Sequence, residues 1–111
     1  MAHSQYVFIE SRDPFDSADT GFVADTATAL RRRGRPVTVF LVQNAVLATR
    51  AAARGSHVPR LTEAGVTVLA DDFSLRERGI ETGELGDGVH PTEIGTLVDL
   101  LVQPGTKAVW H

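Results

Sequence analysis

The sequence predicts an α/β fold: a parallel sheet of about five strands held between two helical layers, a three-layer α/β/α arrangement. Three observations lead there. The runs Tyr6-Val7-Phe8-Ile9, Val37-Thr38-Val39-Phe40-Leu41-Val42 and Val66-Thr67-Val68-Leu69 are nearly continuous in apolar and β-branched residues. A strand with one wet face alternates, whereas a parallel strand covered on both faces does not. Ala- or Leu-rich stretches with helical periodicity separate these runs. No linker, repeat or low-complexity segment interrupts the alternation, so the order reads as successive βαβ units in one domain spanning residues 1–111.

Each element follows from local chemistry. After the first strand, Ser11 to Asp16 includes Pro14 and forms a loop. A helix is expected over residues 17–33, with Phe22, Val23, Ala27 and Leu30 on one face, arginines in the last turn and Gly34 as a left-handed cap. Pro36 stops any continuation. The second strand, 37–42, ends at Gln43 and Asn44, where Asn44 suits the N-cap of a helix over 45–54 that closes at Gly55. A short helix over 57–65 tolerates Pro59 in its first turn and ends at Gly65. The third strand, 66–69, leads into Asp71 and Asp72. Ser74 and Glu77 have capping-box spacing for the turn 75–78, which Gly79 terminates. A short fourth strand includes Val89. Pro91 is expected to open the last helix, where Ile94, Leu97, Val98, Leu100 and Leu101 form a broad apolar stripe. Residues 107–110 close the sheet.

Composition narrows the function classes. With 111 residues, 42% of them hydrophobic, the chain holds one core. A domain of this size buries about 65% of its unfolded surface and commonly gains more by assembling. A formal net charge of -3 gives no reason to expect nucleic acid, and Arg31-Arg32-Arg33-Gly34-Arg35 is read as a cationic helix end without interleaved aromatics. No apolar run approaches the ~20 residues of a membrane span, and the first residues lack the pattern of a signal peptide, so a cytoplasmic location is expected. The chain has no cysteine. Disulfides, thiolate zinc sites and thiol nucleophiles are therefore excluded. The glycines from Gly83 to Gly88 do not match the dinucleotide fingerprint, and no cofactor is expected.

In open α/β sheets, sites form at the carboxyl ends of strands. The polar residues expected there are Glu10, Ser11 and Arg12 after the first strand, Gln43 and Asn44 after the second, Asp71 and Asp72 after the third, and His90 after the fourth. Glu10, Arg12, Asn44, Asp71, Asp72 and His90 are the candidate binding residues. If they converge, Glu10, Asp71, Asp72 and His90 offer oxygen and nitrogen ligands for a divalent metal, or a carboxylate and imidazole for proton transfer. The plainer reading is structural: the paired aspartates cap the short helix over 75–78, Asn44 caps the helix over 45–54, Glu10 pairs with Arg12, and His90 caps the last helix. His3, His57 and His111 are expected in solvent. Trp110 is expected either in the core or at a subunit interface. A receiver-domain reading fails because Glu10-Ser11-Arg12-Asp13 does not supply the acidic pair after the first strand and Lys107 begins the last strand where it should end it.

The stretch Ala70-Asp71-Asp72 with Ser74-Leu75-Arg76-Glu77-Arg78-Gly79-Ile80, the run from Val37 through Val46, and the ending Pro104-Gly105-Thr106-Lys107-Ala108-Val109-Trp110 together resemble the DsrE/DsrF/DsrH (TusD/TusC/TusB) sulfur-relay family. The resemblance covers nearly the whole chain in matching order. It implies a five-stranded parallel sheet flanked by helices, and assembly as a homo-oligomer, trimer or hexamer, or as a hetero-oligomer with other DsrE-like subunits. It also implies that Asp71 stands where sulfur-carrying members place a cysteine. A carboxylate cannot hold a sulfane sulfur, so no catalytic residue is assigned and the expected role is a non-catalytic subunit or a small-ligand or partner-binding module related to intracellular sulfur trafficking. The alternative is a small enzyme built on the carboxylate and histidine set, with or without a metal.

Overall fold

The apolar runs become the centre of the sheet. In the computed structural model, which describes residues 4–111, the strands are β1 (Gln5–Glu10), β2 (Val37–Leu41), β3 (Thr67–Asp71), β4 (Val89–Thr92) and β5 (Thr106–Trp110). They lie in the order β4-β3-β2-β1-β5, and every neighbouring pair is parallel. The expected α/β class and five-stranded sheet are both present. Parallel strands need crossovers, and four helices supply them: α1 (Thr20–Arg32), α2 (Val58–Glu63), α3 (Asp72–Glu77) and α4 (Ile94–Val102).

The strand order decides which face each helix covers. From β1 to β4 the chain steps steadily toward one edge; from β4 to β5 it returns across the whole sheet. Right-handed crossovers therefore place α4 on the face opposite the earlier helices. The two cores agree. On one face Phe8, Val39 and Val68 pack with Val23 and Ala27 of α1, Leu61 of α2 and Leu75 of α3. On the other, Val7, Ile9, Phe40 and Val42 pack with Leu97, flanked by Leu69 and Leu100. A five-stranded sheet thus has several helical segments on one side and a single nine-residue helix on the other.

Local departures from the expected elements have identifiable causes. The helix expected over 45–54 is a 3-10 segment, Gln43–Thr49. Its start is pinned where Gln43 N donates to Ser74 Oγ at 2.9 Å, and its end where the Thr49 carbonyl accepts from Gly86 N at 2.7 Å. Asn44 does not cap it; residue 42 holds that place with no side-chain bond. The last helix starts at Ile94 because Pro91 sits within β4, an edge strand where its missing N–H is tolerated. His90 is consequently a residue of β4 and caps nothing. Phe22, expected on the inward face of the first helix, is 57% exposed. That helix begins only at Thr20, because Asp16 and Ser17 N–H groups turn back to the Asp13 carbonyl. Its expected end is observed: Gly34 has φ of 81°, and Arg35 N returns to the Leu30 carbonyl. Among the described residues no helix is long and apolar enough to cross a membrane.

Candidate functional site

Asp71 is the last residue of β3 and, at the same time, the N-cap of α3. Its Oδ2 accepts from the Ser74 backbone N–H at 3.0 Å and from the Ser74 hydroxyl at 2.6 Å. The cap therefore forms one turn earlier than the Ser74–Glu77 spacing implied, and Ser74 becomes the capped residue. The Ser74 oxygen in turn accepts from Gln43 N. This chain of bonds ties the end of β2 to the end of β3. Gln43 takes a φ of 52°, the one left-handed non-glycine among the described residues. Such a conformation costs on the order of 1 kcal/mol and persists where surrounding contacts enforce it. Asn44, next in the chain, accepts from Arg78 Nε at 3.2 Å and Nη2 at 3.0 Å, while Arg78 Nη1 donates to the Ser74 carbonyl at 3.2 Å.

These residues line an open groove of about 520 Å³ at the carboxyl ends of β2, β3 and β5. Its apolar walls include Phe73, Ile94, Leu97 and Trp110. Phe73 is 59% exposed and Trp110 66% exposed, so two aromatic rings face solvent across it. Trp110 is thus not a core residue. Asp71 also borders a neighbouring depression with Asp72, Arg76 and Glu93, where Asp72 pairs with Arg76 at 3.6 Å across one helical turn.

Glu10 and Arg12 belong to a different place. They border a narrow, largely apolar cavity of about 30 Å³, room for roughly one water molecule. Glu10 is buried, and His111 Nδ1 lies 2.8 Å from its Oε2 and 2.9 Å from its Oε1. Facing a carboxylate, that nitrogen carries the hydrogen. The expected Glu10–Arg12 side-chain pair does not form: Arg12 gives Glu10 only its backbone N–H, at 3.2 Å, and turns its guanidinium to Asp19 at 3.6 Å. His111 Nε2 also reaches Asp19, at 3.4 Å. The Ser17 hydroxyl, with smaller contributions from its own backbone N–H and His111, holds the Asp19 carboxyl below its ordinary value.

The expected convergence is therefore partial. Asn44 and Asp71 share the groove, with Asp72 at its margin; Glu10 and Arg12 line the separate cavity; His90 is exposed on edge strand β4, opposite Leu69. Among the described residues, no three His, Asp or Glu side chains are grouped to hold a metal ion. His3 lies outside the described residues. The pairing of Glu10 with His111 went unread because the two are 101 positions apart, and only β5 pairing beside β1 brings them together. Phe73 and Arg78 were legible only as helix residues, although both follow directly from the strand end that carries Asp71.

No family model matches the sequence, and no curated protein matches it. Solved structures do match. The ychN protein from E. coli superposes with a TM-score of 0.86 at 21% identity, covering 97% of this chain and 99% of its own. MTH1491 from Methanobacterium thermoautotrophicum, a protein of unknown function, gives 0.83 at 20% identity over 97% and 99%. BT1422 from Bacteroides thetaiotaomicron, a conserved protein of unknown function, gives 0.74 at 16% identity over 96% and 95%. At these identities the likeness establishes a shared fold, reached along the full length of each chain.

Proposed function

We propose that the chain is a cysteine-less DsrE-like module, related to intracellular sulfur trafficking, that assembles and binds and does not itself carry sulfur. The observation that carries this reading is the state of Asp71. At the position the sequence resemblance gives to the relay cysteine, a buried carboxylate spends Oδ2 on the Ser74 N–H and hydroxyl as a helix cap. A thiolate there would be stabilised by the same N–H and hydroxyl; the carboxylate takes that stabilisation and offers no sulfur chemistry. Assembly is supported by α4, whose Ile94, Val98, Leu101 and Val102 are exposed on the thinly covered face of the sheet. The occupant of that face is a second copy or a related subunit, in a trimer, a hexamer or a mixed oligomer.

The carboxylate and histidine enzyme is less well supported, because its four residues do not meet and the cavity beside Glu10 is too small for a substrate. Asp71→Cys tests the preferred reading. Incubated with a sulfane sulfur donor, the wild-type chain is expected to keep its mass, and the chain carrying Asp71→Cys is expected to gain one sulfur atom and pass it to a thiol acceptor. A folded Asp71→Cys chain whose thiol reacts no faster than free cysteine would overturn the equivalence of this position with the relay site.

A further inference from the structure

We propose that His111 is a proton-operated clasp: its charged ring fastens the loop of residues 11–19 beside the Glu10 cavity, and the neutral ring lets that loop go. The proposal goes beyond the reading of the chain as a binding module and does not depend on it. Alternation along β1 puts Glu10 on the side of Phe8, toward α1, so the cluster lies on the face of the sheet opposite α4. Glu10 is 4% exposed, and the His111 ring is 16% exposed. Nδ1 lies 2.8 and 2.9 Å from the two Glu10 oxygens, and Nε2 lies 3.4 Å from Asp19 Oδ2. Both ring nitrogens therefore face carboxylates. A neutral imidazole carries one N–H and donates to only one of them; the imidazolium carries two and donates to both.

The charges around the ring come from three segments. Glu10 of β1 and Asp19 at the N-cap of α1 touch it, and the Arg12 guanidinium lies 3.6 Å from Asp19. Arg12 and the positive end of α1 oppose a charged ring, but both act across Asp19, whereas the two carboxylates contact the ring itself. Asp19 stays an anion where a histidine changes charge, because the Ser17 hydroxyl above all, then its own backbone N–H and His111, hold its carboxyl below the ordinary value. A charge-assisted bond is about twice as strong as a neutral one, so losing the proton weakens the hold on both acids. The consequence falls on the loop. The His111 carbonyl accepts from Ser11 N at 2.9 Å and Ser11 Oγ at 3.0 Å, and its N–H donates to the Ile9 carbonyl at 2.9 Å. Those backbone bonds hold the near end of the loop whatever the ring carries. Only the ring reaches the far end, at Asp19, and Arg12 and Pro14 between the two ends border the cavity with Glu10, Thr20 and His57.

Trypsin cleavage after Arg12, followed by mass, reads the loop, and urea denaturation reads the clasp, each at about pH 6 and about pH 9. His111→Asn keeps a neutral N–H donor near the place of Nδ1 and cannot take the charge. Comparing it with the wild-type chain at each pH cancels the protease's own pH dependence and the titration of His57 and the other histidines. At about pH 6 the variant is expected to be cut at Arg12 about fivefold faster than wild type, with a urea midpoint lower by about 0.5 M. The proton held by the folded form adds stability on the acid side, and that increment is lost as pH rises, so both gaps are expected to close at about pH 9. Asp19→Asn changes an exposed side chain that makes no cap bond, and its gap from wild type is expected to be wider at about pH 6 than at about pH 9. Gaps of equal size at the two pH values, or an Arg12 site cut no faster in His111→Asn at about pH 6, overturn the proposal. Where His111→Asn fails to fold, Asp19→Asn decides it by the same comparison.

Discussion

Asp71 ends a strand, starts a helix and borders the groove, and its backbone position explains all three. The β3 run brings it to the sheet margin, and its extended φ and ψ of -61° and 118° let the side chain reach forward to Ser74. Removing the carboxylate strips Ser74 N–H of its acceptor and loosens the bond that Gln43 N–H donates to Ser74 Oγ. Asp71→Ala is expected to lower unfolding free energy by about 1–2 kcal/mol, and Asp71→Asn by roughly half of that, read from urea denaturation at neutral pH. At this scale the sequence was legible wherever a residue acts on near neighbours. Gly34 ends its helix as expected and Asp71 caps the short helix, whereas Asp72, expected to share that cap, is the first residue of the helix and pairs with Arg76 instead. Residues acting across the fold were not legible: Glu10 finds His111, and Asn44 finds Arg78, only after distant segments are brought together.

Helix α4 holds the second core in place with few residues. Leu97 is buried against Val7, Ile9 and Phe40, while Val98, one position on, is 53% exposed. The nine residues carry one charge, Asp99. The broad stripe read from the sequence is real, but a single helix cannot turn all of it toward the sheet. Leu97→Ala is expected to cost about 2–4 kcal/mol in unfolding free energy through lost burial and the cavity it leaves. Val98→Asp is expected to stay within about 0.5 kcal/mol for the isolated chain. If Val98 lies in an interface, the same substitution abolishes assembly, so the two variants separate folding from association. Among the elements, strands were the most legible, because an uninterrupted apolar run has few other uses. The helix expected over 45–54 became a 3-10 segment because tertiary bonds at both of its ends outweighed its alanine content.

The topology creates the asymmetry on which the functional reading depends. Three forward crossovers stack their helical segments on one face, and the single return crossover leaves α4 alone on the other. A parallel sheet is ordinarily covered on both faces, and the sequence of β5 agrees with cover from outside: Ala108 and Trp110 are exposed on the α4 side, in register with buried Val7 and Ile9. The fold class could be read from the chain because the three central strands, β1 to β3, are apolar on both faces; the uneven cover could not, since it depends on strand order. A standard interface buries about 800 Å² on each partner, more than a helix some 14 Å long offers alone, so α4 and the adjoining β5 surface are expected to be covered together. Sedimentation equilibrium of the wild-type chain beside Val98→Asp at micromolar concentration tests this most directly. A trimer or hexamer that falls to monomer in Val98→Asp is expected; a wild-type chain that is monomeric, alone and with DsrE-like subunits, or an oligomer untouched by Val98→Asp, would contradict assembly through this face.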